Sequence, residues 1–339
     1  MQILKTEQYI DEKLVVKPLT KDRLVKFKEE PSVDENARQF IEKNNLVWNP
    51  KTMSYDCDGD VSVSEDIVID GKLKIRFGKV SGCFDCSYNK LISLEGAPKK
   101  VGGDFSCSHN KLTTLEGAPQ NVGGKFNCIH NKLTTLEGAP NVVGNSFYCS
   151  KNELTTLEGA PQKVGRDFNC SDNNLTTLEG APQEVGGKFD CDNNILTSLE
   201  GAPKKVGWDF YCSVNKLTSL KGAPNEVGGD FYCYYNKLTS LEGAPQKVGK
   251  TFDCSDNKLT TLEGAPSVVG RGFCCNKNNL TTLEGAPQKV GEDFICFHNQ
   301  LTTIEIAPQE VGGDFFCSNN PTLVLPKRKP SWLKGNIIR

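Results

Sequence analysis

Phe105-Ser106-Cys107-Ser108-His109-Asn110-Lys111-Leu112-Thr113-Thr114-Leu115-Glu116-Gly117-Ala118-Pro119 is one copy of a unit that recurs every twenty-one residues. Its cysteine falls on the same step from Cys86 to Cys317, through Cys107, Cys128, Cys149, Cys170, Cys191, Cys212, Cys233, Cys254, Cys275 and Cys296, which takes up twelve of the fifteen cysteines. A fixed period of this length marks a solenoid, in which each repeat is one coil that cannot bury its apolar face without a neighbour. Phe-x-Cys is a period-2 pair, so Phe105 and Cys107 face one way and Ser106 the other. The two leucines and a Val fifteen residues after the cysteine (Val101 to Val311) complete the core of each coil. The Asn three residues after the cysteine lies where the chain leaves the strand, placed to bond the backbone of neighbouring coils. Gly-Ala-Pro turns the chain back.

The pattern Phe-x-Cys-x-x-Asn-x-Leu-x-x-Leu resembles the leucine-rich-repeat core Leu-x-Leu-x-x-Asn-x-Leu-x-x-Leu, with Phe and Cys in place of the first two leucines. The resemblance covers residues 80–320. It implies a mainly β, leucine-rich-repeat-like solenoid of about twelve coils with a parallel sheet and a small α+β cap at the N-terminal end. The segment Glu-Gly-Ala-Pro-x-x-Val is too short and too rich in Gly and Pro for a helix, so an irregular or extended return and no regular helix in the repeats are expected. The near-identical Leu-Thr-Thr-Leu-Glu-Gly-Ala-Pro copies are similar to those of bacterial and large tailed-phage repeat proteins.

Four segments follow from this pattern. Residues 1–31, dense in mixed charge, read as a flexible arm; Lys5 to Leu14 resembles the short peptides that send internal proteins into phage heads. Residues 32–79 read as the N-terminal cap, with Ser32-Val33-Asp34-Glu35 as a capping box for a helix to about Asn44. Tyr55-Asp56-Cys57 imitates Phe-x-Cys as a degenerate opening coil, and a hairpin turns at Asp70-Gly71. Residues 80–320 are the solenoid. Residues 321–339 are a C-terminal cap and basic tail, in which Trp332 and Leu333 cover the last coil.

The formal charge of −2 argues against electrostatically driven binding of nucleic acid by the whole chain. No run of residues is long and apolar enough to cross a membrane, and no secretory signal is visible at the start of this sequence. Cysteines at this spacing read as reduced, buried packing residues in a cytoplasmic protein (host cytoplasm or virion, if phage-encoded). They lack the close spacing of a zinc site, so no metal or other cofactor is expected. His109 and His130 share a slot about 5 Å apart without a third ligand. Asp56-x-Asp58-Gly59-Asp60 lacks the terminal Glu of a calcium loop and reads as a turn. The Glu nine residues after each cysteine forms a ladder interrupted by Lys221, and lysines such as Lys99, Lys163, Lys205, Lys247 and Lys289 are expected to offset it. Cys274, between Phe273 and Cys275, is a candidate exposed and reactive thiol.

In a repeat array the partner is read by what varies on the outward face. Trp208, Tyr211, Val214, Tyr232, Tyr234 and Tyr235 should gather on two adjacent coils as an aromatic patch, since Tyr and Trp bury much area at low entropic cost. Cross-strand stacking without a partner is the competing reading. The expected function is a non-enzymatic module binding a protein partner, as a phage-encoded factor acting on a host protein would. The alternatives are a structural or packaged virion component with residues 1–31 as its docking arm and, last, an enzyme or small-molecule sponge.

Overall fold

The computed structural model describes residues 29–305 and 308–339. The expectations placed on residues 1–28, including the Lys5–Leu14 resemblance, lie outside the described residues. Glu30, counted above with the arm, accepts a hydrogen bond from the Tyr55 hydroxyl at 2.8 Å.

The repeats form a solenoid with a parallel sheet and no helix among their described residues. They build two ladders rather than one. The first contains the Phe strands, from Phe84–Asp85 to Phe315–Phe316, paired parallel and in register. The second runs through the supposed return: two-residue strands ending on Val, such as Lys163–Val164 and Glu184–Val185, pair coil to coil. Each ladder has fourteen strands. The return is therefore extended and hydrogen-bonded, with the second residue of each pair buried and the first, as at Glu184 or Val142, facing water.

Between the ladders the core repeats without variation. Phe189, Cys191, Leu196 and Leu199 are all fully buried, and Val185 nearly so. The phenylalanines stack in a continuous column, with Phe189 and Phe210 centroids 5.3 Å apart. The cysteine is more than a small apolar filler: the Cys191 thiol donates to the Tyr211 carbonyl oxygen of the next coil at 3.2 Å. Burial pushes such thiols well above their ordinary pKa, and all fifteen cysteines are free.

Asparagine ties the coils together. Asn152 is buried; its side-chain NH2 donates to the Cys149 carbonyl in its own coil and the Cys128 carbonyl in the coil before, both at 3.1 Å. Its Oδ1 accepts from the Leu133 amide at 3.1 Å. A second tie was not evident in the sequence. The residue before each Phe often reaches the backbone of the next coil, as Asp104 Oδ1 accepts from the Lys125 amide and Asp209 Oδ1 from the Asp230 amide.

The ends differ from expectation in detail. The helix spans Glu35–Lys43, and its N-cap is Asp34, whose side chain accepts from the Ala37 amide; Ser32 does not cap it. Tyr55-Asp56-Cys57 does not imitate Phe-x-Cys in space. It lies in the valine ladder, pairing with Phe77–Val80, while Val61–Ser62 pairs with Phe84–Asp85 and opens the phenylalanine ladder. The misreading came from matching side-chain types where the ladder matches register. Val68–Ile69 and Lys72–Leu73 form the hairpin, with Asp70 and Gly71 at φ 50° and 73°. At the other end Ile337–Ile338 adds a last parallel strand to Phe315–Phe316, Trp332 packs edge-on against Phe315, and Leu333 bridges to Val311.

Candidate functional site: an aromatic face rimmed by carboxylates

The outward residues of the phenylalanine ladder and the turn after it are positioned by the stacked core beneath. Tyr211 and Tyr232 are register partners, so their rings stack at 4.8 Å and 7°. Tyr234 leans on Tyr232 at 6.2 Å, and Tyr235 meets Tyr234 edge-on at 5.8 Å. Four of the six sequence-selected residues thus form one run of rings. Trp208 does not join it. It lies at the corner between the ladders, 54% exposed, where Arg166 sits over its indole at 5.6 Å.

Val214 shows a different signal. In every coil the residue two after the cysteine has a left-handed backbone, with φ between 50° and 61° from Tyr88 to Asn319. Asp172, Asn193 and Asp256 suit it; a β-branched residue does not. Val214 holds φ 54° while 42% exposed. Val214→Asn is expected to raise stability by about 1 kcal/mol, read as a higher urea midpoint. Local strain kept on a surface without a packing gain is a pointer to function.

Sequence reading missed the acidic rim. The Tyr211 hydroxyl donates to Asp209 at 3.4 Å, and Asp190 and Asp253 flank the Tyr211–Tyr232 pair in register; Asp230 bears on Tyr211 and Asp192 on Tyr234 through their charge. These residues come from three different slots of the repeat, so only the folded corner brings them together. The one sequence signal is Asp192, in a slot filled by serine in seven coils, among them Ser171 and Ser213. Burial and then Asp190 push the Asp192 carboxyl up to about 7. Burial also raises Asp253 and holds the Tyr232 hydroxyl at about 12, with Asp230 adding to it. Two cations lie in the rim: the Lys188 ammonium is 3.0 Å from Asp190 and 4.8 Å from the Tyr211 ring centroid, and the Lys250 ammonium is 3.7 Å from Asp209.

Elsewhere the candidates resolve into structure. Cys274 is half-buried; burial, with Asp253 and Asp293, pushes its thiol up to about 12, so it is protonated at neutral pH and not activated. Cys83, also half-buried and off the ladder, accepts from the Asp104 amide. His109 stacks between Tyr88 and His130 at 4.2 and 4.4 Å. Asp56, Asp58 and Asp60 accept from the Lys79 amide, the Ser81 hydroxyl and the Cys83 amide, which accounts for the turn. Lys205 and Lys289 pair with Glu184 and Glu310 on the valine ladder, not with the Glu ladder; Lys72 and Lys221 pair with that ladder, at Glu95 and Glu200. Among the described residues no group of three or more His, Cys, Asp or Glu could hold a metal ion, and no helix is long and apolar enough to cross a membrane. A surface recess of about 530 Å³ lies among the Gly-Ala-Pro turns beside Arg76, Glu95 and Glu116, several coils from the tyrosines.

The overall fold is similar to that of a solved structure. YopM from Yersinia enterocolitica superposes with a TM-score of 0.56 at 20% identity, over 82% of this chain and 63% of that one. The fold is leucine-rich-repeat-like. This chain therefore spans less than two thirds of the length of that protein. YopM from Yersinia pestis, described as a leucine-rich effector protein, gives 0.48 at 17% identity, over 83% and 88% of the two chains. The leucine-rich-repeat domain of APL1B gives 0.45 at 16%, over 76% and 94%. No protein-family model and no curated protein matches the sequence.

Proposed function

We propose that the chain is a non-enzymatic protein-binding module that presents the tyrosine face of its phenylalanine ladder to a protein partner. The observation that carries this reading is the outward run of rings from Tyr211 to Tyr235, three of them half-buried and Tyr235 exposed, flanked by the strained and exposed Val214. A rigid ladder presents such rings at little entropic cost, which favours them as anchors. The repeats' resemblance to those of phage and bacterial proteins supports a phage-encoded factor acting on a host protein. The free thiols support work in a reducing compartment such as the host cytoplasm.

Affinity purification from the native host, with Tyr211, Tyr232 and Tyr235 each changed to Ala, tests the reading. A partner held by the native chain should be lost from the variants, with affinity reduced at least about tenfold, or 1.4 kcal/mol, for a ring at the centre of the contact. Retention of every partner by all three folded variants sinks it.

A further inference from the structure

The chain has three histidines, and two of them are neighbours in space. His109 and His130 fill the left-handed slot two residues after the cysteine in adjacent coils, at φ 52° and 54°, and Tyr88 fills it one coil earlier at 61°. The amides of Tyr88, His109 and His130 donate to the Ser108, Ile129 and Ser150 carbonyls of the next coil, so the backbone fixes which ring meets which. The result is one stack of three rings: Tyr88 to His109 at 4.2 Å and 9°, and His109 to His130 at 4.4 Å and 23°. It lies on the surface, with Tyr88 and His130 exposed and His109 half-buried.

The charges beside the stack are mostly cationic. Lys151 takes the same slot in the coil after His130. Lys90, Lys111 and Lys132 leave the chain two residues after Tyr88, His109 and His130. Of these, Lys90 is paired with Glu65 at 2.9 Å. The residues preceding the three rings, Ser87, Ser108 and Ile129, bring no charge. Loss of water around the ring, then His109 and Lys151, lower the His130 pKa from its ordinary value, while Asp172, two coils on, opposes them.

We propose that the Tyr88–His109–His130 stack is a pH-sensitive clasp on the first three coils, closed while at most one imidazole is protonated and loosened when both are. One proton is tolerated, because an imidazolium can rest against an aromatic face. A second would set two cations 4.4 Å apart, with Lys151 next in the column. The unfolded chain takes up that proton at the ordinary imidazole value, about 6.5. The folded value is lower, so the clasp's contribution is complete above about pH 6.5 and is lost as pH falls from there through the folded value. These coils border the N-terminal cap, and a stacked array opens locally, coil by coil, rather than all at once. Mild acid therefore loosens this end and leaves the tyrosine face, several coils away, in place.

The test is an NMR titration of the imidazole protons of the whole chain, beside His109→Asn, His130→Asn and the double variant. Asn already holds this slot at Asn193 and Asn319, so the substitutions suit the backbone. The native pair should titrate in two steps, the lower one about half a pH unit or more below the single step left in either single variant. Amide hydrogen exchange reads the opening. Corrected for intrinsic rates, the amides at positions 88, 109 and 130 of the native chain should exchange about threefold or more faster at pH 5 than at pH 7.5. In the double variant the two rates should be equal. The Lys277 amide, in the same slot far along the array and bonded to the Phe297 carbonyl, should not change in either chain. Two unseparated steps, no acid-induced opening in the native chain, the same opening in the double variant, or equal opening at Lys277 overturns the proposal.

Discussion

Asn152→Ala is expected to lower the stability of the chain by about 2 kcal/mol. One buried group loses its partner outright, the Leu133 amide, which donates to Oδ1; the Cys128 carbonyl loses the Asn152 side-chain NH2 but keeps that of Asn131. Leu133 is fully buried, so no water replaces the lost bond at the amide without opening the coil. Each group left unpaired costs about 1–3 kcal/mol. Asn152→Asp sharpens the prediction. It keeps an acceptor for Leu133 but turns an anionic oxygen toward the Cys149 and Cys128 carbonyls. Burial and these carbonyls should raise the folded-state pKa of the new carboxyl above its unfolded value. Its penalty is then greatest near neutral pH and is relieved as pH falls toward the unfolded value, where protonation supplies a donor. Urea midpoints of the variant and the native chain at pH 7 and pH 5 read the effect as a narrowing gap. A constant gap, or a loss below about 1 kcal/mol for Asn152→Ala, would show that the asparagine column is not what joins the coils.

Gly165→Ala is expected to cost about 3 kcal/mol. A Cβ on Gly165 would sit well inside contact distance of the Gly144 carbonyl oxygen, one coil before. The obstacle is backbone, which cannot swing aside as a side chain can. The two coils would have to part, and the valine ladder runs through this corner, with the Gly165 amide donating to the Val143 carbonyl. In a stacked array such a break weakens both neighbours rather than one contact. A urea midpoint equal to the native value would show that the corner is loose. Both variants lie away from the tyrosines and should leave retention of a protein partner by the folded chain unchanged.

Much of this was legible in the sequence because the repeat isolates each requirement. Phe-x-Cys, the two leucines and the Asn recur in their slots twelve times or nearly so, and each found its expected place in the core. The valine ladder was not legible. Its strands are two residues long with one buried side chain, such as Val164 after Lys163, and so short a pair carries no alternation to detect. The opening coil misled because Tyr55 and Cys57 share chemistry with the Phe-x-Cys pair, whereas Val61–Ser62 shares its register. At the site, the rings could be read because each breaks a polar column. The carboxylates could not, because Asp209 and Asp230 occur in a slot where aspartate also has a structural task in other coils, as Asp104 and Asp167 show. Only the folded ladder brings them near the Tyr211–Tyr232 pair, beside Asp190 and Asp253.

The invariant core has a consequence for how such a molecule can change over generations. Since Cys149 sits in the same surroundings as Cys128 or Cys170, a gene that gains or loses one whole unit encodes a chain whose interior is still complete. Unequal recombination between near-identical units is then a tolerated event. Each such event between the helix and Trp208 would slide the tyrosine corner along the axis by about 4.8 Å without altering the corner itself. The number of coils is thus an adjustable spacer, set by copy number, between the N-terminal residues and the tyrosine face.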